Sequence, residues 1–162
     1  MTRAVAVDLG QRRIGMAVTD RAGTMAFPRP MVPRTADRPA VHRAIAAVVA
    51  DEEAEVLVVG LPLSLDGRDG PAARAARAEA AELAAVLAAD PATAGVRVET
   101  FDERLTTVSA TAALAAAGKR GTAQRRSVDS AAAAVLLQAW LDQRPGPDRW
   151  AEPDRQAGVD GR

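Results

Sequence analysis

The chain lacks, or nearly lacks, several residue types that common catalytic sites require. It has no cysteine and a single histidine, His42, among 162 residues. The missing cysteine excludes a disulfide framework, a thiolate zinc site and a cysteine nucleophile. The single histidine excludes a histidine-rich metal site and leaves one candidate for a serine–histidine pair. We interpret His42 as a surface residue of the first predicted helix.

Aromatic residues and long apolar runs are also scarce. The chain has two phenylalanines, two tryptophans and no tyrosine, which argues against an aromatic platform for stacking single-stranded bases. No apolar run reaches the ~18 residues of a membrane span, and the first residues do not have the form of a signal peptide. We therefore expect a soluble cytoplasmic protein that has no membrane partner.

The formal net charge is zero, but the charges are unevenly distributed along the chain. Residues 1–50 carry eight arginines and three aspartates, whereas residues 51–142 carry more acidic than basic side chains. Lys119 is the only lysine among 21 basic residues. Arginine binds phosphate through two parallel hydrogen bonds, so this composition is compatible with an anionic polymer as partner. Codon bias in a GC-rich genome explains the same composition.

Apolar periodicity and turn residues predict an α/β fold. Strands are predicted at 3–8, 13–19, 24–32, 56–61 and 96–101, and helices at 38–50, 71–89, 106–117 and 128–142. The first three strands are joined by short turns and form an antiparallel meander, whereas the last two follow helical crossovers. We therefore expect a mixed five-stranded sheet, flanked by helices.

Proline and glycine positions indicate the limits of this domain. Pro28 and Pro30 favour an edge position for the far end of the third strand, because proline has no backbone N–H to donate. Residues 1–142 form the predicted domain. Residues 143–162 are rich in proline and glycine and have no apolar period, so we predict a disordered C-terminal tail.

Acidic residues stand at two strand ends and at one helix start. Asp8 ends the first strand, Asp102 and Glu103 follow the strand at 96–101, and Asp129 opens the last helix. If the first and fifth strands lie near each other and the last helix crosses their ends, three carboxylates converge there. Such oxygen ligands suit Mg²⁺ or Mn²⁺. Two of these ions, bound to a phosphodiester, activate a water and stabilise the leaving oxygen.

Each of these acids also has a purely structural explanation. Asp8 precedes a turn, the acidic pair at 102–103 suits a solvated loop, and Asp129 in a first helical turn is favoured by the helix dipole. Strand alternation does not distinguish Asp102 from Glu103, because the pair lies just past the strand end.

Four motifs, taken in order, resemble the YqgF/RuvX family, whose members are described as pre-16S rRNA nucleases and as Holliday-junction-resolvase-like proteins. The motifs are DLG with RIGMAVTD at 8–20, GLPLSLDGRDGP at 60–71, DERLTT at 102–107 and VDSAAA at 128–133. The resemblance covers about residues 3–142. It implies an RNase H-like fold and implies that Asp8, Glu103 and Asp129 are the metal-binding catalytic carboxylates.

Basic residues near these acids are predicted to bind nucleic acid. They are Arg13, Arg104, Lys119, Arg120, Arg125 and Arg126. The segment 119–126 has no acid and leads to Asp129, which suits contacts with a phosphate backbone, although a solvated loop has the same composition. Arg104 follows Glu103 and is predicted to contact a phosphate, the alternative being a salt bridge with Asp102. Arg13 lies beside Asp8. Contact with a nucleic-acid strand and simple exposure to solvent are equally good interpretations of this arginine.

The sequence therefore predicts a metal-dependent endonuclease with Mg²⁺ or Mn²⁺ as cofactor. By resemblance, its substrate is pre-16S rRNA, matured at the 5′ end, and the few aromatics favour recognition of structured RNA through backbone and shape. The alternatives are a Holliday junction resolvase acting on four-way DNA and a non-catalytic nucleic-acid-binding factor. An actin-like ATPase is disfavoured, because it needs two lobes and 162 residues supply one. We expect a monomer or a homodimer.

Overall fold

The computed structural model describes residues 2–106 and 128–144, with residues 128 and 129 described by their backbone alone. The strands are β1 (Ala4–Leu9), β2 (Arg13–Thr19), β3 (Ala26–Pro33), β4 (Val56–Leu61) and β5 (Arg97–Asp102). The helices are α1 (Arg38–Asp51), α2 (Pro71–Ala89) and α3 (Val128–Asp142), and a 3₁₀ turn at Glu103–Thr106 follows β5. All five predicted strands are confirmed, with ends within two residues of those expected. Most of the predicted helix at 106–117 and of the predicted disordered tail lies outside the described residues.

The five strands form one mixed sheet in the order β3-β2-β1-β4-β5. The first three strands pair antiparallel as the expected meander, whereas β4 pairs parallel with both β1 and β5. As predicted from its prolines, β3 lies at an edge of the sheet. Because β1, β4 and β5 run in the same direction, their C-terminal ends meet at one end of the sheet.

Helices cover both faces of the sheet and create two apolar cores. Successive side chains of a strand point to opposite faces, so Val5 and Val7 of β1 face α1 and α2 whereas Ala4 and Ala6 face α3. On that second face, α3 contributes large side chains, among them the buried Trp140. The same alternation directs position 8 to the α3 face.

Among the described helices, none combines the length and apolar character that crossing a membrane requires.

A charged network is buried between α1 and α2. Glu79 accepts hydrogen bonds from Arg34 Nη1 and Nη2 at 3.0 and 3.1 Å, and its Oε1 lies 3.0 Å from His42 Nε2. The interpretation of His42 as a surface residue is therefore wrong: it is 3% exposed, because its face of α1 turns towards α2 and a carboxylate meets it there. Arg34 Nε also donates to the carbonyl oxygen of Gly10 at 2.7 Å. The turn that follows Asp8 is thus tied to both helices.

Burial of Glu79 would by itself raise the pKa of its carboxyl group. Hydrogen bonds from Arg34 and His42, together with the charges of Arg34 and Arg38, outweigh this effect and hold the pKa of Glu79 below its usual value. Glu79 therefore stabilises the folded chain as a carboxylate.

Replacing Glu79 with glutamine should lower the free energy of unfolding at pH 7 by about 2–4 kcal/mol, because it leaves a mostly buried arginine without its carboxylate. Glu82→Gln is the matched control, since Glu82 lies in the same helix and pairs with Arg38 at 2.8 Å, but both side chains are about half exposed. Its loss should stay below about 1 kcal/mol. Urea unfolding measures both values, and equal losses would contradict the network's role.

The pH dependence of the same variants gives a second check. A carboxyl group whose pKa is lowered on folding stabilises the fold above its unfolded pKa, and this contribution disappears as the pH falls through the folded pKa. The difference between wild type and Glu79→Gln should therefore shrink in acid.

Candidate active site

Three residues on neighbouring parallel strands form a row at the C-terminal end of the sheet. Val7 of β1 pairs with Val59 of β4, and Gly60 of β4 pairs with Phe101 of β5. The residue after Val7 is Asp8, which is therefore level with Gly60 and Phe101. All three positions face α3. Asp8 thus lies at the rim of the otherwise apolar face that α3 covers.

Glu103 reaches this row through the space that Gly60 leaves open. Because β4 lies between β1 and β5, the two outer strands are about 10 Å apart. A Cβ atom at position 60 would lie 2.5 Å from Glu103 Oε1 and 3.2 Å from its Cγ. It would also lie 3.2 Å from Leu136 Cδ2 of α3. The glutamate side chain therefore lies across β4 towards Asp8, between the sheet and α3.

This role of Gly60 is not among those predicted from the sequence. A signal for it exists, because an isolated glycine inside an otherwise apolar strand often marks a close approach of another group. The residue that approaches is not apparent from the sequence, since Glu103 is 43 positions further along the chain.

The side-chain carboxyl groups of Asp8 and Glu103 form a hydrogen-bonded pair. Burial raises the pKa of Glu103, and the charge of Asp8 and the hydrogen bond with Asp8 raise it further, to about 7. The charge of Asp102 adds a smaller effect in the same direction. At pH 7 the Glu103 carboxyl group is therefore about half protonated. It is Glu103, and not Asp102, whose side chain meets Asp8.

The donor chemistry of this pair fits a divalent cation. Carboxylate oxygens are the ligands that Mg²⁺ and Mn²⁺ prefer, and a cation between them would offset the repulsion that raises the pKa of Glu103. In the part of the chain that the structure describes, there is no group of three histidine, cysteine or acidic side chains placed to hold a metal. The backbone of Asp129 lies in the first turn of α3, but its side chain is outside the described residues.

The predicted nucleic-acid-binding residues have different surroundings. Arg13 is exposed at the start of β2, and strand alternation puts it on the same face as Gly15, the partner of Asp8 across the sheet. Arg104 forms the alternative salt bridge, with Nε 3.0 Å from Asp102 Oδ1. The other four lie outside the described residues, namely Lys119, Arg120, Arg125 and Arg126.

In metal-free protein, the contribution of Glu103 to stability should fall as the pH rises from about 4.5 to about 7. Folding raises the pKa of this carboxyl group, so between the unfolded and the folded pKa the folded state keeps a proton that the unfolded state has lost. The stability that the protonated Glu103 contributes is therefore lost as the pH rises through the folded pKa. Since the group is only partly buried, we expect a change of about 2 kcal/mol. Urea unfolding in EDTA at pH 5 and pH 8 should show this decrease in wild type relative to Glu103→Gln. The exposed Glu55→Gln variant should follow wild type, and parallel profiles for wild type and Glu103→Gln would contradict the assignment.

Gly60→Ala should displace the Glu103 carboxyl group from Asp8, because the new methyl group would occupy its place. The overpacking should also destabilise the fold by about 1–3 kcal/mol. We expect Mn²⁺ binding, measured by calorimetry, to weaken by roughly tenfold or more, as when groups supporting a metal site are disturbed. Gly95→Ala is the control, since a Cβ atom at Gly95 would have no neighbour within 4 Å. Equal affinities in the two variants would argue against the steric role of Gly60.

Comparison with known proteins gives matches along most of the chain. Residues 2–143 match the family RuvX, described as Holliday junction resolvase. A relative from Anaeromyxobacter sp. (strain K), named "Putative pre-16S rRNA nuclease", is 46% identical over 142 residues, which is 88% of this chain and 98% of the relative. A relative of the same name from Rhodococcus erythropolis (strain PR4 / NBRC 100887) is 39% identical over 163 residues, which is 98% of this chain and 88% of the relative.

Among solved structures, the chain is similar to T. thermophilus RuvC in complex with Holliday junction substrate. The TM-score is 0.58 at 15% sequence identity, covering 86% of this chain and 92% of that chain. At this identity the likeness concerns the fold. The predicted RNase H-like α/β fold is confirmed.

Proposed function

Since this chain belongs to the RuvX family, we propose that it is a metal-dependent endonuclease that hydrolyses phosphodiester bonds in pre-16S rRNA. The observation that carries this proposal is the pair of carboxyl groups of Asp8 and Glu103, held together at the end of the sheet. The substrate is proposed from the relatives that are 46% and 39% identical and carry the name of a pre-16S rRNA nuclease. Such RNA is made in the cytoplasm, which is the predicted location of this protein.

Asp8, Glu103 and Asp129 are the proposed metal ligands and catalytic residues. The first two are supported by their contact across Gly60. Position 129 is four residues before Ala133 and seven before Leu136, which are both buried against the sheet. Residues at this spacing share one face of a helix. This register supports Asp129 as the third ligand.

The proposed chemistry is metal-assisted hydrolysis. Bound Mg²⁺ or Mn²⁺ would supply activation of the attacking water and stabilisation of the leaving oxygen. The carboxylates of this chain would hold these cations, so no nucleophilic side chain is needed. Water adds to phosphorus as the bond to the 3′ oxygen breaks, which leaves a 5′-phosphate and a 3′-hydroxyl.

Contacts with the substrate backbone are proposed for Arg13 and for the basic residues of the segment 119–126. Arg13 lies on the Asp8 face of the sheet, and the segment 119–126 precedes the helix that carries Asp129. Their charges would neutralise phosphates next to the cleaved bond. A purely binding role is disfavoured, because a partly buried carboxyl pair repels phosphate unless a cation lies between them.

A four-way DNA junction is the second candidate substrate, because the matching family is described as Holliday junction resolvase. The chemistry of bond cleavage would be the same for either substrate. Cleavage of two opposed strands of a junction suits a symmetric dimer, so the oligomeric state in solution helps to separate the two candidates.

The test is cleavage of labelled pre-16S rRNA, a four-way DNA junction and plain duplexes, with Mg²⁺, Mn²⁺ or EDTA. We expect cleavage of the RNA with either metal and none in EDTA. Asp8→Asn, Glu103→Gln and Asp129→Asn should each lower the rate by more than about a hundredfold, because each removes a charged ligand. Asp51→Asn, at an exposed position in α1, is the control and should cleave like wild type.

The outcomes separate the candidate functions. Cleavage of the junction alone would select the second substrate. Cleavage of none of these nucleic acids, or cleavage that persists in EDTA, would contradict the proposed function.

A further inference from the structure

The guanidinium group of Arg104 forms hydrogen bonds with Asp102 at the end of β5. Its Nε lies 3.0 Å from both carboxylate oxygens of Asp102, and its Nη2 donates to Oδ2 at 2.5 Å. The backbone N–H of Arg104 donates to the same carboxylate at 3.0 Å. One edge of the planar guanidinium thus faces Asp102, an arrangement that fixes the plane of the arginine side chain. A phosphate on this edge would have to displace a carboxylate.

The same guanidinium also contacts the loop that follows β4, residues 62–70, which we call the 62–70 loop. Arg104 Nη1 donates to the carbonyl oxygen of Leu65 at 3.4 Å. Gly67 lies against the guanidinium, since a Cβ atom there would be 3.3 Å from Nη1 and 3.5 Å from Nη2. Its φ of +81° also favours glycine. Arg104 therefore joins two segments that are distant in sequence, and we call these contacts the Arg104 bridge.

The 62–70 loop has a defined conformation of its own. Ser64 Oγ donates to Asp66 Oδ1 at 2.5 Å, the backbone N–H of Gly67 donates to the Ser64 carbonyl oxygen at 2.8 Å, and that of Arg68 donates to Asp66 at 3.1 Å. At its tip the Leu65 side chain is 97% exposed. The loop is thus internally ordered and directs an apolar group outwards, while its attachment to β5 runs through the Arg104 bridge.

Both ends of the Arg104 bridge are close in sequence to the candidate active site. Arg104 directly follows Glu103, and the 62–70 loop begins two residues after Gly60. We propose that Arg104 is a positioning residue, which holds the 62–70 loop beside the Asp8–Glu103 pair so that the loop forms a wall for the nucleic-acid substrate. This inference rests on the proposed function. It differs from the phosphate contact predicted for Arg104, because the guanidinium acts on the protein and not on the substrate.

The test compares Arg104→Gln, Asp102→Asn and the double variant. Both single changes break the same pair, so each should lower kcat by roughly tenfold to a hundredfold, as expected for misplaced substrate-positioning groups. The dissociation constant for the substrate should stay within about twofold of the wild-type value. The double variant should be no slower than the slower single variant, because the two residues act as one unit. Arg104→Lys should recover part of the rate, since an ammonium group can pair with Asp102 but cannot reproduce the fork.

Arg77→Gln is the matched control. Arg77 also forms a two-point pair with an aspartate of the 62–70 loop, with Nε 2.8 Å and Nη2 3.2 Å from the carboxylate oxygens of Asp69. This pair connects the loop to α2 and not to β5. The control should retain the wild-type kcat.

A phosphate contact by Arg104 makes the opposite prediction. Arg104→Gln would then weaken substrate binding and reduce the slope of log K against log salt by about one, whereas Asp102→Asn would leave cleavage intact. That result would overturn the proposal.

A readout without substrate separates this proposal from the proposed function. Amide hydrogen exchange in the 62–70 loop should be faster in Arg104→Gln and Asp102→Asn than in wild type. Because the loop is distant in sequence from both substitutions, such an effect would pass through the Arg104 bridge. If wild type cleaves no nucleic acid, the proposed function fails, and faster exchange still supports the Arg104 bridge. Unchanged exchange overturns the proposal whatever the activity.

Discussion

The candidate active site at the C-terminal end of the sheet depends on two carboxyl groups, those of Asp8 and Glu103, which are held in contact although their charges repel each other. Asp8 and Glu103 meet because β4 lies between their strands and has a glycine at position 60, where any side chain would occupy the path of Glu103. Apolar packing on both faces of the sheet offsets this unfavourable contact. Such an arrangement is typical of sites placed for a ligand, where a group with a strongly raised pKa is retained although it weakens the fold.

A second glutamate, the buried Glu79, shows how the same fold accommodates a structural carboxylate. Glu79 is surrounded by Arg34, His42 and Arg38, and these groups lower its pKa. Glu103 is placed beside Asp8, and this neighbour raises its pKa. The two glutamates thus have opposite electrostatic surroundings on the two sides of the sheet. Glu79 is paired with cationic side chains of the protein, whereas the surroundings of Glu103 suit a cation bound from solution. The link between them is Arg34, which also holds the turn after Asp8.

The abundance of arginine reflects structural roles as well as any role in binding. Arg34, Arg38, Arg77 and Arg104 each form two-point contacts with a carboxylate of the chain. The planar fork of arginine suits such contacts. Composition alone therefore does not separate arginines that join elements from arginines that bind phosphate. The distinction requires knowing which acid each guanidinium faces, and for Arg104 that acid is Asp102.

The sequence by itself determined the elements and the strand-end acids, because periodicity and turn chemistry are recorded in residues that are neighbours along the chain. Five strands, the edge position of β3 and the candidate positions Asp8 and 102–103 follow from it. Tertiary structure decided which acid meets Asp8, why position 60 is glycine and that His42 is buried against Glu79, 37 positions away. Each of these depends on packing between elements that are distant in sequence, and local patterns carry no record of which distant residue arrives.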